Sequence, residues 1–334
     1  MKVLVTGASS LIGAGVVDAL LDRGDEVRCF QRTTVTSSSG WPSADEQLGD
    51  VGVAADVVGA ADGCDAVVHL AARVGIVGSR EDFHRTNVTG TEHLLHEADR
   101  AGVARFVHVS SPSVAHDGAP IVGGGADPAI TGHGTAWYPL TKAIAERTAL
   151  AADSSSMGVV AIRPHLVWGP ADTQLVGRIV ERARAGRLAL VGGGTALVDT
   201  TYIDNAVSAL VAALDAVHPG ARCAGRSYVV ANGEPRPIRE LLAGICDAAD
   251  VEFAPRDVPL GVARLVGSVV ERVWPRLRRS DEPPLTRFLA DQLGTAHWFD
   301  PRPVRRDLGW SAEVSIDEGL ARLADWFRRT DPAS

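Results

Sequence analysis

Residues 2 to 5 (KVLV) form a short apolar run closed by Thr6-Gly7, and apolar positions then recur at helical spacing from Leu11 to Leu21 until Arg23-Gly24 stops them. The pattern predicts a strand, a turn and a helix. Four more runs of strand length and β-branched or apolar character follow: Glu26 to Phe30 (EVRCF), Asp65 to Leu70 (DAVVHL), Arg105 to Val109 (RFVHV) and Val159 to Ile162 (VVAI). Helical patterns separate them, notably 81 to 101 and Tyr138 to Ala151. Strands that are apolar on both faces and alternate with helices imply a parallel sheet covered on two sides. One strand is poorly marked. Residues 33 to 48 (TTVTSSSGWPSADEQL) are polar and rich in Ser and Gly, which predicts a loop with only a stub of strand before Gly49-Asp50.

After about Pro164 the pattern changes, with more Gly, Pro and Arg and with short strand signals such as Ser227 to Ala231 (SYVVA) between helices. The expected architecture is α/β, a Rossmann-type doubly wound parallel sheet over residues 1–163 with a smaller C-terminal substrate-binding lobe over 164–330, some C-terminal segments returning to the sheet. Residues 261 to 279 carry Val262, Leu265, Val266, Val269, Val270, Val273, Trp274 and Leu277 at helical spacing, with Arg264, Glu271, Arg272 and Arg276 elsewhere. The ordinary expectation is an apolar stripe packed on the lobe's own core. The alternatives are a lid over an apolar substrate or a membrane-surface contact.

Composition narrows the classes. The chain has 334 residues, 46% of them hydrophobic, enough for a sizeable core, and its net charge of −8 gives no electrostatic footprint for nucleic acid. Cysteines 29, 64, 223 and 246 are far apart without CxxC or His spacing, so neither a disulfide framework nor a metal site is expected. No apolar run approaches the roughly 20 residues that span a bilayer, and the N-terminus lacks the layout of a signal peptide. Together these point to the cytoplasm.

The turn after the first strand reads Thr6-Gly7-Ala8-Ser9-Ser10-Leu11-Ile12-Gly13. Gly7 permits the tight turn, backbone N–H groups near Ser9, Ser10, Leu11 and Ile12 face a pyrophosphate at a helix N-terminus, and Gly13 allows close helix–sheet contact. Ser10 stands where this pattern prefers glycine. The end of the second strand normally carries an acid that accepts from the ribose 2′-OH and repels a 2′-phosphate. Here Gln31 and Arg32 occupy it. A neutral residue beside a guanidinium suits a phosphate, which favours NADP (NADPH) as cofactor; the other reading is that Arg32 is an ordinary solvated arginine.

Tyr138-Pro139-Leu140-Thr141-Lys142 sets a phenol and an ammonium four residues apart, on one helical face. A phenol is a poor acid–base group at neutral pH unless neighbouring positive charge stabilises the phenolate, so the pair is expected to make a tuned proton donor. Ser110-Ser111-Pro112-Ser113 follows directly on the apolar run ending at Val109, placing a hydroxyl at a strand's carboxyl end, where ligands bind in open α/β sheets. Ser111 can hydrogen-bond a carbonyl oxygen, Tyr138 can protonate it, and Lys142 can hold ribose hydroxyls while tuning Tyr138.

These landmarks, with His69-Leu70-Ala71-Ala72, Asn87-Val88-Thr89-Gly90-Thr91, Arg163-Pro164, Val167-Trp168-Gly169-Pro170 and Thr201 to Asn205, resemble the extended short-chain dehydrogenase/reductases, in their 3β-hydroxysteroid dehydrogenase-like branch. The resemblance implies that Asp50 and Val51 border the adenine, Ala71 lines the cofactor, Asn87 supports the proton-relay geometry, and Pro164 to Val167 touch the nicotinamide. Longer stretches, including WGPADTQLVGRIVERARAGRLALVGGG, DTTYIDNA and ANGEPRPIRELL, are similar to the bacterial 2-alkyl-3-oxoalkanoate reductases of olefin biosynthesis. That likeness implies NADPH-dependent reduction of a long-chain β-keto acid, a lipid-like substrate, other olefin-biosynthesis enzymes as partners, and a homodimer. Arg73, His116, His165 and Arg178 are candidates to meet the substrate carboxylate. A sterol or hydroxysteroid dehydrogenase is the alternative enzyme, and an NADP-binding sensor without catalysis the alternative of another class.

Overall fold

Three strands of the sheet have every residue buried or nearly so: β4 (Ala66–His69), β5 (Arg105–Val109) and β6 (Gly158–Pro164). β1 (Lys2–Thr6) and β2 (Glu26–Gln31) are buried along most of their length, whereas β3 (Asp45–Leu48), the stub expected before Gly49, is a largely exposed edge. In this computed structural model, which describes residues 1–34, 41, 43–75, 78–131, 136–274 and 286–330, these strands and β7 (Arg226–Val230) form one seven-stranded sheet. Part of the polar loop expected at 33 to 48, including Ser37 to Ser39, lies outside the described residues.

All neighbours in the sheet are parallel, in the order β7-β6-β5-β4-β1-β2-β3. The chain leaves β1 toward β2 and β3, then returns to β4 on the other side of β1, so a crevice opens at the carboxyl ends of β1 and β4. Open sheets bind ligands at such a reversal. Alternate residues sort to the two faces: Val3 and Val5 pack with Val16, Val17 and Leu20 of α1 (Leu11–Asp22), while Leu4, Val67 and Phe106 pack with Leu94 and Ala98 of α2 (Gly90–Ala101). α3 (Trp137–Ala151) covers the second face, and α4 (Ile203–Ala216), from the C-terminal half, lies against α1.

The helical pattern at 81 to 101 is interrupted. A single turn at Arg80–Phe83, capped reciprocally by Ser79 and Asp82, passes into a π-helical turn at His84–Thr89 before α2 begins. Such wide turns recur at functional sites because they rotate one side chain out of helical register. Asn87 lies within this turn and is buried.

Short strands from distant segments build the rest. Leu197–Val198 pairs with Arg236–Pro237 on one side and His297–Phe299 on the other, and His297–Phe299 pairs in turn with Ile121–Gly124. α5 (Ile238–Ala248) follows Arg236–Pro237 directly and buries Leu241, Leu242 and Ile245. α6 (Leu260–Val273) and α7 (Arg287–Gly294) pack on each other. The expectation that the aliphatic stripe of 261 to 279 packs inward is wrong: the buried residues of α6 are Ala263 and Gly267, and Val262, Leu265, Val266, Val269 and Val273 face outward. Residues 275 to 279 lie outside the described set. Among the described residues, no helix is long and apolar enough to cross a membrane.

Candidate active site

The glycine-rich turn is a cradle at the end of β1. Gly7 has φ of +72°, which disfavours any other residue, and a Cβ there would lie 2.9 Å from the Ala71 nitrogen. A Cβ on Gly13 would collide with the Gly7 carbonyl, so α1 enters against the turn itself. Ser10, the departure from glycine, has φ of −76° and caps α1: its hydroxyl accepts from Gly13 N (3.1 Å) and donates to the Gly7 carbonyl (2.8 Å). Serine thus closes the turn without backbone strain. Ser9 and Ser10 are exposed, and Leu11 and Ile12 are half-buried in the first turn of α1. An anionic group fits this N-terminus.

Gln31 ends β2 as expected, but it is buried, and its amide nitrogen donates to the Glu46 carboxylate on β3 (2.5 Å). Its other amide atom, Oε1, is buried without a partner. Arg32 is exposed beside it. Asp50 accepts from Arg85 Nη1 (3.1 Å) and from Gly52 N (2.8 Å), which orders the turn that presents Val51; Val51 is buried against Gly90 at the start of α2.

Ser111 lies two residues beyond β5 and caps a short 3₁₀ turn at Pro112–Ala115, with its hydroxyl 2.9 Å from that of Ser113. Tyr138 is half-buried in the first turn of α3, with its phenol near enough to the Ser111 hydroxyl to be influenced by it. Lys142 follows one helical turn later and is buried, with Nζ donating to the Val109 carbonyl (2.6 Å). The three side chains therefore converge at the carboxyl end of β5. In the chain itself burial dominates both groups. Burial pushes the Tyr138 phenol above its ordinary 10, with only the Ser111 hydroxyl opposing, and burial also pushes Lys142 down from 10.5 to about 8, opposed by the nearby Glu146 carboxylate.

Asn87 is buried beside this helix. Its side chain accepts from Arg73 N (2.7 Å) and donates to the Arg73 carbonyl (3.1 Å) and to Thr141 Oγ1 (3.0 Å), tying the loop after β4 to α3. Pro164 ends β6, and Val167 opens a short strand paired with Thr201–Tyr202; between them Leu166 has φ of +43°, unusual for a bulky residue. Thr201 Oγ1 donates to the His165 and Val230 carbonyls (2.8 and 3.0 Å) and holds this bend.

Beneath these groups lies polar structure that the sequence did not announce as functional. His69 Nδ1 is 2.8 Å from Thr6 Oγ1, and Nε2 is 3.0 Å from Thr91 Oγ1. Thr91 Oγ1 donates to the Asn87 carbonyl (2.7 Å), so it must accept from His69, which puts the ring proton on Nε2. Thr6 then donates to Nδ1 and accepts from Ala71 N (3.2 Å). A directed chain so links the Ala71 backbone to Asn87. Burial lowers the His69 pKa to about 3, keeping the ring neutral. The signal in the sequence was a histidine in each of two otherwise apolar strands, His69 and His108, whose rings are 5.5 Å apart. Next to them, Arg163 and Glu146 form a fully buried pair (Nη2–Oε1 2.5 Å, Nε–Oε2 2.8 Å) that fastens α3 to β6.

The candidate carboxylate-binding residues separate. Arg73 stacks over Phe83 and Arg178 donates to Gln174, whereas His116 and His165 converge on His297, with ring centroids 5.0 and 6.1 Å from it. Burial keeps His165 and His297 at about 4 and about 3, so this cluster is neutral near pH 7.

The chain is 44% identical to the 2-alkyl-3-oxoalkanoate reductase of Stenotrophomonas maltophilia over 97% of its own length and 98% of that protein. It is 30% identical to a 3-beta-hydroxysteroid dehydrogenase of Mycolicibacterium neoaurum, over 98% and 91% of the two chains. In fold it is similar to the dTDP-glucose 4,6-dehydratase of Streptomyces venezuelae, with a TM-score of 0.76 at 24% identity over 99% of this chain and 98% of that one. The family model described as the NAD dependent epimerase/dehydratase family matches residues 3–231, and the chain belongs to that family, as an oxidoreductase of its extended short-chain dehydrogenase branch.

Proposed function

We propose that the protein reduces the 3-keto group of a long-chain 2-alkyl-3-oxoalkanoic acid to the 2-alkyl-3-hydroxyalkanoic acid with NADPH, in the biosynthesis of long-chain olefins. The observation that carries the substrate is the 44% identity to a 2-alkyl-3-oxoalkanoate reductase along nearly the whole of both chains. The choice of NADPH is supported by the absence of an acid at Gln31, whose amide engages Glu46, and by the exposed Arg32 beside it.

In this reading the cradle of Gly7, Ser9, Ser10, Leu11, Ile12 and Gly13 holds the pyrophosphate, Asp50, Val51 and Ala71 border the adenosine side, and Pro164 and Val167 border the nicotinamide. Bound NADPH would supply the hydride to the keto carbon. Ser111 holds the keto oxygen by a hydrogen bond, and Tyr138 gives that oxygen its proton, completing the alcohol. Because burial raises the phenol, Tyr138 is protonated and ready to donate throughout the neutral range. Lys142 places a positive charge one turn away, held by the Val109 carbonyl, where it opposes the cost of forming the phenolate. Asn87, locked to Thr141 and Arg73, fixes the position of α3.

Oxidation of NADPH and NADH is followed with 2-alkyl-3-oxoalkanoic acids and, in reverse, with β-hydroxy acids and hydroxysteroids. Turnover of the β-keto acid with NADPH is expected, with Tyr138→Phe lowering it on the order of 10²- to 10⁴-fold while retaining cofactor binding. The relatives named as hydroxysteroid dehydrogenases at 30 and 31% identity make steroid oxidation the competing outcome. Turnover of steroids alone overturns the substrate, preference for NADH overturns the cofactor, and full activity of Tyr138→Phe overturns the mechanism.

A further inference from the structure

The turn after β5 holds a second serine against the first. Ser111 leaves β5 in extended conformation (φ −152°, ψ 145°), and the next residue, Pro112, has no N–H, so the Ser111 hydroxyl caps the turn by accepting from Ser113 N (3.3 Å). The turn is pinned on both sides: Val114 N donates to the Ser111 carbonyl (3.2 Å), and Ile130 N donates to the Val114 carbonyl (2.8 Å). Pro112, Ser113 and Val114 are all buried. The Ser113 hydroxyl is thereby fixed 2.9 Å from that of Ser111, just beyond the carboxyl end of β5.

Which of the two hydroxyls donates follows from counting. A hydroxyl has one proton and two lone pairs. The Ser111 proton is required by the carbonyl oxygen that this side chain holds, and the sense in which Ser111 acts on Tyr138 agrees, since it opposes the rise of the phenol as a donor to the phenolate oxygen does. Ser111 therefore has no proton left for Ser113. Both of its lone pairs are then met by one residue, the first by the Ser113 N–H and the second by the Ser113 O–H. A donor set against an oxygen that is itself donating strengthens the outgoing hydrogen bond, and it disfavours the rotamer in which the Ser111 proton points back into the turn.

We propose that Ser113 is a positioning residue for the reduction: its hydroxyl donates to Ser111 Oγ and so aims the Ser111 proton at the carbonyl oxygen of the substrate. The assignment rests on the reading of the protein as a carbonyl reductase, and it is independent of which carbonyl is reduced. Capping of the turn needs only the Ser113 N–H, which every residue except proline supplies. The hydroxyl adds the 2.9 Å contact, and alanine at 113 removes that contact while leaving the N–H and the turn in place.

The test is a double-mutant cycle on the full chain, with NADPH oxidation followed on a 2-alkyl-3-oxoalkanoic acid and on a 3-oxosteroid, and with NADPH binding followed by fluorescence. Ser113→Ala is expected to lower kcat about five- to tenfold, with the Kd for NADPH unchanged and the fold intact by circular dichroism. Ser113→Thr, which keeps a hydroxyl at the position, should recover most of the rate. In a Ser111→Ala background, itself slower on the order of 10²-fold, removing the Ser113 hydroxyl as well should change kcat by less than about twofold, because the group it acts through is gone. Equal kcat in Ser113→Ala and wild type overturns the proposal. So does a loss that repeats in full in the Ser111→Ala background, since Ser113 would then act without Ser111. Turnover of the steroid alone defeats the substrate reading, and the cycle on that ketone then decides the role of Ser113. Independent losses on the 3-oxo acid defeat the role of Ser113 and leave the substrate reading standing.

Discussion

Replacing Lys142 by methionine should make the protein more stable and the enzyme inactive. Burial holds the folded-state pKa of this ammonium at about 8 against 10.5 in the unfolded chain. At pH 7 both states are charged, and the folded state bears a desolvation cost of about 3 kcal/mol, from two and a half pKa units at about 1.4 kcal/mol each. As pH rises through 8 the folded state loses its proton before the unfolded state does, so the cost shrinks; at pH 9.5 it is about 1 kcal/mol, and above 10.5 it is gone. Methionine keeps the stem's apolar packing but forfeits the hydrogen bond to the Val109 carbonyl, worth about 1 kcal/mol. The net gain for Lys142→Met at pH 7 is therefore about 2 kcal/mol, falling to nothing near pH 9.5. Urea unfolding of both proteins at the two pH values measures it. A variant no more stable at pH 7, or an advantage that does not change with pH, refutes the argument that the site stores desolvation at Lys142 in the service of catalysis.

The Arg163–Glu146 pair should behave oppositely. Arg163→Met strands a buried carboxylate and should cost about 3 to 5 kcal/mol in urea unfolding, most of it recovered in Arg163→Met/Glu146→Leu; costs that simply add would show the pair to be uncoupled. For His69, Leu should cost about 2 to 3 kcal/mol by leaving the Thr6 and Thr91 hydroxyls without their shared partner. Because the ring stays neutral above about pH 3, the shape of the pH–rate profile between pH 5 and 9 should survive in His69→Gln while kcat falls; disappearance of a limb would make His69 a proton carrier instead.

Regular periods carried most of the legible fold. Strands such as 105 to 109 and the helix of YxxxK were readable because apolar residues recur at the period of the element that buries them, and the convergence of Ser111, Tyr138 and Lys142 follows from spacing on those elements. Direction was not readable. In α6 the stripe reveals one apolar face, but Ala263 and Gly267 on the opposite side allow closer packing than valine and leucine, and the helix turned that side inward. Nor could spacing show that Gln31 meets Glu46 across an edge strand, that Lys142 turns to the Val109 carbonyl, or that His116, His165 and His297 meet from three segments. Those contacts depend on tertiary placement, which no local period encodes.

The interleaving of strands also sets a timetable for the nascent chain. β6, GVVAIRP, is completed on one edge by β5 but on the other only by β7, more than sixty residues later, and Ile121–Gly124 waits for His297–Phe299 near the end of synthesis. Until then the growing polypeptide presents an apolar strand edge and a bare face of α1 where α4 will lie. An unpaired edge of that kind recruits other strands, so a chain stalled or cut shortly after Pro164 would keep the nucleotide cradle and the tyrosine helix and yet be a seed for aggregation.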